Sequence, residues 1–413
     1  MYTIQKQPGF WQRRRNQVLI AGIALIFAAG AGTYLSRDQA IKPAVSSNVA
    51  KPKPHQITKR DDAISMVLTG DWIAHDSVNA AAQNSDGTYN YLPLVEPLAP
   101  LFKKTDIRFC NDPILNGGKA LGISGYPKFN SPTEFVTDMG KYGCNLVNTA
   151  SNHSFDFTQA NIDTSVAAWA AVPTTLAVAG QNRNQAEHDA VHMFTTKGLK
   201  FAFLAYTTYS NAAPQNSYGV SVYSPALAAQ QIQAAKAQGA QIIIVSMRWG
   251  VEYSSQVTAA QEKAAQYLSD QGVNLVLGHG PHVLQPVQDL TGAASNKTLV
   301  WYSLGNYLNT QIPPETLFNG VALLKINPAT RAISITGYLP FHMQYEWTAA
   351  QAKAENTNAR TKVKLELLEK TTQAAIDAQQ INTTAKDQAA RLVKTLNERG
   401  QQIPLLSSEQ AGL

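Results

Sequence analysis

Cysteine and charged residues are both scarce in this sequence. Its 413 residues contain two cysteines, and Asp, Glu, Lys and Arg together make up 15%, against about 25% in an average soluble domain. Cys110 lies at the end of one predicted strand and Cys144 at the start of another. If these strands are parallel, the two sulfurs lie several residues apart along the sheet, beyond disulfide reach. We therefore expect two buried thiols.

Basic residues are also missing from most of the chain. The formal net charge is +6, but residues 1–60 hold ten Lys and Arg and a single acid, so the remainder is mildly acidic. The sequence has no basic stripe with interleaved aromatic residues. This absence argues against a nucleic-acid-binding surface, and no nucleic acid is expected as a partner.

A long uncharged run follows the three arginines Arg13–Arg15. Residues 16–36 contain no charge, and as a helix they would span about 31 Å, close to the ~30 Å hydrocarbon core of a bilayer. We predict a single-pass anchor over residues 1–36 with a cytoplasmic N-terminus, a flexible tether over 37–62 and an extracytoplasmic domain at the cell membrane. A cleaved signal peptide is the alternative, although the apolar region is longer than the usual ~7–15 residues. No cysteine follows the run, so lipoprotein anchoring is unsupported.

Short apolar runs alternate with helical patterns from residue 63 to residue 347. The runs are apolar on both faces, which is typical of buried parallel strands, so we predict an α/β fold with mostly parallel central strands. Residues 348–413 are polar and rich in Ala and Gln, and we predict a helical C-terminal tail there. The predicted strands are 64–70, 106–112, 144–153, 199–208, 241–250, 273–280 and 298–306.

Polar and ionisable residues follow most of these strands. In an open α/β sheet, ligands bind beyond the carboxyl ends of the strands, so these residues are expected to converge. The run from His279 to His282 is the strongest signal, because the exit of a buried strand rarely needs two histidines. A mixed set of Asp, Asn and His ligands suits zinc, manganese or iron(II). The residues are Asp71, His75, Asn111, Asp112, Asn152, His153, Asp156, Arg248, Glu252, Tyr253, His279, His282 and Asn306.

Each of these motifs also has a simpler explanation. A Gly-Asp pair after a strand, as at Asp71, is usually a turn or a helix cap. An Asn-His pair in a loop, as at His153, is more often a local hydrogen-bonding pair. The binding-site interpretation is favoured because six strand ends carry such residues together.

Several of these segments resemble the CapA family of bacterial capsule and poly-γ-glutamate synthesis proteins. The matching segments are GDWIAHD, DIRFCNDPI, NTASNHSFD, VAGQNRN, RWGVEY, GHGPHVLQPV and YSLGNY, in the order and approximate spacing of the family over residues 64–345. The resemblance implies a layered, metallophosphatase-like fold with a divalent metal site at the strand ends. It implies metal ligands at Asp71, Asn152, His279 and His282 and, after a small shift in alignment, at Asp112. Together with the strand-end pattern, it leads us to expect catalytic roles for His153, Asp156, Arg248 and Glu252.

Two positions depart from the family pattern. The family typically has Asn-Leu-Glu where this chain has CNDPI, so Asp112 replaces the expected Glu only with a small shift in alignment. The family commonly has His-Trp-Gly where this chain has Arg248 followed by Trp-Gly. Arginine stays protonated and offers no lone pair, so we expect one or two ions, with the second metal site degraded. Arg248 would instead bind a phosphate or a carboxylate, or pair with Glu252 or Asp156 in a relict site.

Three functions are compatible with the resemblance. The first is a membrane-anchored factor for the synthesis or export of an extracellular anionic polymer, either poly-γ-glutamate or capsule, with a hydrolase-derived site. The second is an active metal-dependent phosphoesterase or amide hydrolase that acts on polyglutamyl or cell-wall material. The third is a noncatalytic membrane assembly subunit. Expected partners are the anionic polymer or its precursor, the cytoplasmic membrane and other membrane subunits of a synthesis complex.

Overall fold

Two mixed β-sheets form the centre of the fold in the computed structural model, which describes residues 62–413. The strands are β1 (Ile64–Trp72), β2 (Ile107–Asn111), β3 (Leu146–Asn148), β4 (Ala177–Ala179), β5 (His192–Thr196), β6 (Leu199–Thr207), β7 (Ile242–Arg248), β8 (Leu275–His279), β9 (Val287–Thr291), β10 (Lys297–Trp301), β11 (Asn306–Leu308), β12 (Phe318–Ile326), β13 (Ile333–Glu346) and β14 (Thr361–Leu367).

Each of the two sheets contains both parallel and antiparallel pairs of strands. The eight-stranded sheet has the order β14-β13-β12-β1-β2-β3-β4, with β11 paired to β1. Strands β1 to β4 are parallel, whereas β12, β13 and β14 are antiparallel. The six-stranded sheet has the order β5-β6-β7-β8-β10-β9, and only its edge strands β5 and β9 are antiparallel. The predicted α/β class is confirmed: the sheets are mixed as a whole, and the strands β1 to β4 and β6, β7, β8 and β10 are parallel.

Eleven α-helices of the described chain connect or cover these strands. They are α1 (Asp76–Ala82), α2 (Leu92–Val95), α3 (Ala99–Lys104), α4 (Thr133–Tyr142), α5 (Gln159–Ala170), α6 (Gln185–Asp189), α7 (Pro225–Ala237), α8 (Ala259–Asp270), α9 (Ala349–Lys353), α10 (Gln373–Asp377) and α11 (Ala385–Asn397). Helix α7 begins at the Ser-Pro pair, as the sequence predicts. The Ser224 hydroxyl accepts a hydrogen bond from the Leu227 amide, and Pro225 has no backbone N–H that would need an acceptor in the first turn.

Strand β7 shows how the two sheets and the outer helices divide the core. Ile242 and Ile244 belong to the larger buried cluster, which also contains the inner residues of β1 and β2. Ile243 belongs to a second cluster with α7 and α8. Because successive side chains of a strand point to opposite faces, the two sheets pack on each other and helices cover the outer face. The rings of Phe109 and Phe203 meet across the sheets at 6.2 Å.

The C-terminal tail is not entirely helical, and the prediction for residues 348–413 is wrong for one segment. Thr361–Leu367 is strand β14, which pairs with β13 at the edge of the eight-stranded sheet. Its buried residues Val363, Leu365 and Leu367 alternate with the charged residues between them. This period of two is typical of a half-buried strand, and the Ala- and Gln-rich composition around it concealed it.

The two cysteines form a disulfide, so the expectation of two thiols is wrong. The Cα atoms of Cys110 and Cys144 are 5.7 Å apart. Helix α4 ends before Gly143, whose φ of 120° turns the chain, and β3 begins only at Leu146. Cys144 therefore lies on the turn that precedes the strand and not within the parallel ladder. The two sulfur atoms are therefore not separated along the strands, as the prediction assumed, and they can bond.

The predicted anchor over residues 1–36 lies outside the described residues, as does the tether up to residue 61. Between residues 62 and 413, no helix is long and apolar enough to cross a membrane.

Candidate functional site

The alternation along β7 and β8 decides which polar residues face the space between the sheets. In β7, Ser246 and Arg248 continue the inner face of the even-numbered residues. In β8, Leu275 and Leu277 belong to the inner cluster and His279 follows them. Arg248 and His279 are register partners on the two parallel strands. The carboxyl ends of both strands therefore bring polar side chains to one inner edge.

The eight-stranded sheet brings a row of hydrogen-bonded side chains to the same edge. Asp71 on β1, Asn111 on β2 and Asn148 on β3 are successive register partners. The Asn111 amide donates to Asp71 Oδ1 at 2.6 Å, and the Asn148 amide donates to Asn111. Each side chain fixes the next, so the sheet sets the orientation of Asp71.

His282 holds the second carboxylate oxygen of Asp71. Its Nδ1 lies 2.7 Å from Asp71 Oδ2 and 3.1 Å from Asn306 Oδ1, and because both are acceptors, Nδ1 donates. His282 has a φ of 63°, which is uncommon for a residue with a side chain and turns the ring into the site. Burial raises the pKa of Asp71, but the hydrogen bond from His282 and the nearby His279 outweigh it, and the pKa is lowered overall.

Arg248 is a buried guanidinium with one unused nitrogen. The residue is 1% exposed. Its Nη2 donates to Glu252 Oε1 at 2.8 Å, and the guanidinium lies 4.5 Å from the centre of the Tyr209 ring. Its Nη1 is buried and has no hydrogen-bond partner. A buried charge with an unused donor is costly unless a ligand completes its contacts.

His279 also has an unused ring nitrogen. Its Nε2 lies 2.7 Å from Ser246 Oγ, whereas its Nδ1 is buried without a partner. Burial lowers the pKa of His279 to about 4. The ring is therefore neutral near pH 7 and carries one N–H.

His153 is oriented by a carboxylate. Its Nδ1 lies 2.7 Å from Asp156 Oδ2, and the same oxygen accepts a hydrogen bond from the Phe129 amide at 2.8 Å. The Phe129 ring packs edge-on against the imidazole at 4.8 Å. This arrangement resembles a general acid or base held by a carboxylate.

These side chains surround one cavity of about 40 Å³. A space of this size holds a few water molecules or a single small group. Seven of the nine predicted site residues line it, together with His75, Asn111 and Tyr253, which the strand-end pattern also indicated. The seven are Asp71, Asn152, His153, Arg248, Glu252, His279 and His282. Their chemical roles stay predictions.

The other two predicted site residues do not line the cavity. Asp156 lies behind His153 and positions it. Asp112 is buried elsewhere, where one carboxylate oxygen accepts from Trp169 Nε1 at 2.9 Å and Asn116 Nδ2 at 2.7 Å. Burial raises the pKa of Asp112 to about 7. The structure therefore gives no support to Asp112 as a substitute for the glutamate of the family pattern.

Several residues at the site were missed from the sequence, among them three on loops and one within a strand. Tyr126, Phe129 and Gln311 line the cavity from loops, and loop paths leave no local pattern in a sequence. Ser246 contacts His279 from within β7. It could have been found, because a serine inside the apolar run IIIVSMR is a polar residue in a buried strand.

The predicted metal ligands do not form a metal centre as they are placed. Within residues 62–413, no three His, Cys, Asp or Glu side chains form a group that could hold a metal ion. Asp71 and His282 use their facing atoms on each other. Arg248 adds a guanidinium, which offers no lone pair and repels a cation in a cavity with little water. The side chains therefore do not fit a divalent ion, and we derive no chemical step through one.

Comparisons of the sequence with known proteins point to bacterial capsule synthesis. The family model described as "Bacterial capsule synthesis protein PGA_cap" matches residues 65–311. The chain is 25% identical over 265 residues to the PGA biosynthesis protein CapA of Bacillus subtilis, covering 62% of this chain and 66% of that protein. It is 22% identical over 356 residues to the capsule biosynthesis protein CapA of Bacillus anthracis, covering 83% and 78%.

Two solved enzyme structures also align with this chain, both with a TM-score below 0.5. The NAD nucleotidase of Haemophilus influenzae aligns with a TM-score of 0.45 at 14% identity, covering 85% of this chain and 58% of that one. The calcineurin-like phosphoesterase YfkN of Bacillus subtilis aligns with a TM-score of 0.39 at 14% identity, covering 80% and 96%.

Proposed function

The chain belongs to the family of bacterial capsule synthesis proteins, PGA_cap, and from this premise we propose that it acts in the synthesis or export of an extracellular anionic polymer, poly-γ-glutamate or capsule. In this proposal the cavity at the strand ends binds an anionic group of the polymer or of its precursor. The observation that carries the proposal is the buried guanidinium of Arg248, whose Nη1 has no partner.

Two buried atoms without a partner are available to an anion in this cavity: Arg248 Nη1, which is a donor, and His279 Nδ1, which is a donor in the Nδ1–H tautomer. Arg248 Nη1 supplies a charged N–H, and planar two-point contact with a phosphate or carboxylate is the geometry that arginine favours. His279 Nδ1 is the second buried atom without a partner. The carboxylate of Asp71 does not compete for these donors, because Asn111 and His282 occupy both of its oxygens.

Glu252 is the group that competes with a ligand. Its carboxylate accepts from Arg248, but its side chain is 40% exposed, whereas that of Arg248 is 1% exposed. The Glu252 carboxylate can be hydrated when it leaves the pair, whereas the buried Arg248 charge needs a replacement partner. An incoming anion can therefore displace Glu252 toward solvent and take its place on the guanidinium.

Phosphate binding to the full-length chain, measured by isothermal titration calorimetry, tests this arrangement with two opposite changes. Arg248→Gln is expected to weaken binding about 10- to 100-fold, and Arg248→Lys about tenfold, because a charge-assisted, planar contact is lost. Glu252→Gln is expected to tighten binding about threefold, because the competing carboxylate is removed. Equal affinity in the parent and Arg248→Gln would refute the proposal.

The proposed site of action is the outer face of the cytoplasmic membrane. The support is the uncharged run 16–36 behind Arg13–Arg15, which favours a cytoplasmic N-terminus. Protease added to intact spheroplasts is expected to digest residues 62–413. Protection of these residues until the cells are lysed would overturn this location. Co-purification of other membrane subunits from the same cells tests whether the chain works in a synthesis complex.

A hydrolase is the second candidate function, and the pairing of His153 with Asp156 at 2.7 Å favours it. Such a pair can move a proton at the edge of the cavity. The metal-dependent form of this candidate needs Asp71 and His282 to separate and bind an ion instead. Elemental analysis of the full-length chain tests it. Stoichiometric metal that disappears in the His279→Ala, His282→Ala double variant, together with phosphoesterase or polyglutamate hydrolase activity, would favour the hydrolase.

A further inference from the structure

A groove of about 350 Å³ adjoins the small cavity. The two spaces share four lining residues, His75, Tyr126, Tyr253 and Gln311, so they are continuous. The small cavity, of about 40 Å³, has room for the anionic head of a ligand and not for its body. The groove lies within the size range of sites for small organic ligands, about 300–1,000 Å³.

Three exposed large apolar side chains of the described chain lie at this groove. Tyr126, Tyr253 and Ile312 line it and are 76%, 50% and 38% exposed. Tyr126 and Tyr253 therefore present two largely exposed rings to the groove. Their free faces and hydroxyls offer both apolar contact and hydrogen bonds.

The remaining lining residues are mostly polar and uncharged. Thr357 and Asn358 bring a hydroxyl and an amide group to the groove, whereas the buried hydroxyls of Ser77 and Thr310 are hydrogen-bonded to each other at 2.7 Å. In the part of the chain that the structure describes, no hydrogen-bond partner is found for the side chains of Thr357 and Asn358. These groups are free to bind a hydroxyl-bearing ligand.

The charges at the groove disfavour a second anionic group. Asp76 lines the groove, and none of the described lining residues is a lysine or an arginine. His75 is neutral near pH 7, because burial, with a further contribution from the nearby Arg360 guanidinium, lowers its pKa to about 3. The Arg360 guanidinium does not line the groove, since it is buried against the rings of Tyr345 and Trp347 at 4.5 and 4.3 Å.

We propose that this groove binds an uncharged saccharide unit of the ligand whose anionic group occupies the cavity at Arg248. This proposal rests on the proposed function and narrows its substrate class. A sugar ring presents an apolar C–H face to Tyr126 and Tyr253, and its hydroxyls match the hydroxyl and amide groups opposite. A poly-γ-glutamate chain would instead place its next carboxylate beside Asp76 without a cation to pair with it.

Calorimetry on the full-length chain, in a detergent without a sugar headgroup, tests the proposal with inorganic phosphate, glucose 1-phosphate and γ-glutamyl triglutamate. The parent is expected to bind glucose 1-phosphate about tenfold more tightly than inorganic phosphate. Tyr126→Ala is expected to reduce this ratio to about 2, and Asn358→Ala to about 3. Tyr126→Phe keeps the ring and most of the ratio. Val393→Ala, which trims an exposed apolar side chain on α11, is the control and keeps the parental ratio.

Three outcomes would overturn the saccharide proposal. The first is a parental ratio near 1, or one that Tyr126→Ala and Asn358→Ala leave unchanged. The second is tighter binding of γ-glutamyl triglutamate than of glucose 1-phosphate in a Tyr126-dependent manner, which would make the groove a polyanion site. The third is a loss of binding to phosphatidylglycerol vesicles in Tyr126→Ala without a change in the sugar ratio, which would make it a membrane contact.

A neutral probe separates this proposal from the proposed function. Methyl glucoside has no anionic group, and its binding can be followed by saturation-transfer NMR. If Arg248→Gln leaves phosphate binding unchanged, the anion site is refuted, yet Tyr126-dependent binding of methyl glucoside would still support the groove. If phosphate binding depends on Arg248 and methyl glucoside does not bind, only the groove proposal is overturned.

Discussion

The two sheets contribute different kinds of polar group to the cavity. On the eight-stranded side, Asp71 has a partner for each carboxylate oxygen, and Asn111 donates and accepts within the same row. On the six-stranded side, Arg248 Nη1 and His279 Nδ1 have no partner. They are the only such buried atoms among the cavity-lining residues of the described chain. Buried side chains whose hydrogen bonds are all formed stabilise the folded state, whereas buried polar atoms without a partner are available to bind a ligand. The first side is therefore expected to govern stability and the second side ligand binding.

Removal of Asp71 is expected to have the largest effect on stability. Asp71→Ala leaves the buried Asn111 amide without its acceptor and leaves His282 Nδ1–H with only its longer contact to Asn306 Oδ1, at an expected cost of about 3–5 kcal/mol in the free energy of unfolding. Chemical denaturation measures this. Asp76→Ala is the control, because Asp76 is only partly buried and its loss is expected to cost less than about 1 kcal/mol. A similar cost for both variants would break the comparison.

The disulfide gives the eight-stranded side a second source of stability. Both cysteines lie on this side, 34 residues apart in sequence. Reduction is expected to lower the free energy of unfolding by about 2–4 kcal/mol, because the unfolded chain gains freedom. Unfolding in the presence and absence of dithiothreitol measures the loss. The Cys110→Ser, Cys144→Ser double variant should be less stable than the parent and insensitive to the reductant, and a reductant-sensitive double variant would refute the assignment.

Asp112 allows a further test of how buried polar groups affect stability, because it is a buried carboxyl group outside the cavity whose hydrogen bonds are not all formed. One of its carboxylate oxygens is buried without a partner, and burial raises its pKa from 3.8 to about 7. Between these values the folded state holds a proton that the unfolded state has lost, so stability falls as pH rises. The loss between pH 5 and 7 is on the order of 2 kcal/mol. Asp112→Asn should remove this slope in thermal unfolding curves, and an unchanged slope would mean that a different group causes the loss.

The α/β class and many of the side chains that line the cavity could be predicted from sequence, because both follow from local patterns. The alternation in IIIVSMR places Arg248 between the sheets, and the apolar run before it identifies a buried strand. The residues that could not be predicted depend on distant contacts. Whether Cys144 meets Cys110 depends on where α4 ends and β3 begins, and Tyr126 enters the site from a loop. Asp112 was misplaced because adjacent residues of a strand end point to opposite sides.

The smallest expected effect concerns the tautomer of His279. Within the described residues, the buried Ser246 hydroxyl contacts only His279 Nε2, so its hydrogen has an acceptor only if it donates there. The ring N–H must then lie on Nδ1, which turns this atom into a donor for an anion and removes the lone pair that a metal would need.

¹⁵N NMR of histidine-labelled protein is expected to show the Nδ1–H form. Ser246→Ala should shift the ring toward the other tautomer, weaken phosphate binding a few-fold and cost about 1 kcal/mol in stability. Ser303→Ala is the matched control, because Ser303 is equally buried and bonds the Val283 carbonyl. It should cost similar stability without changing the tautomer. If the parent instead shows the Nε2–H form, His279 Nδ1 is an acceptor and not a donor. That result would favour the metal-dependent hydrolase.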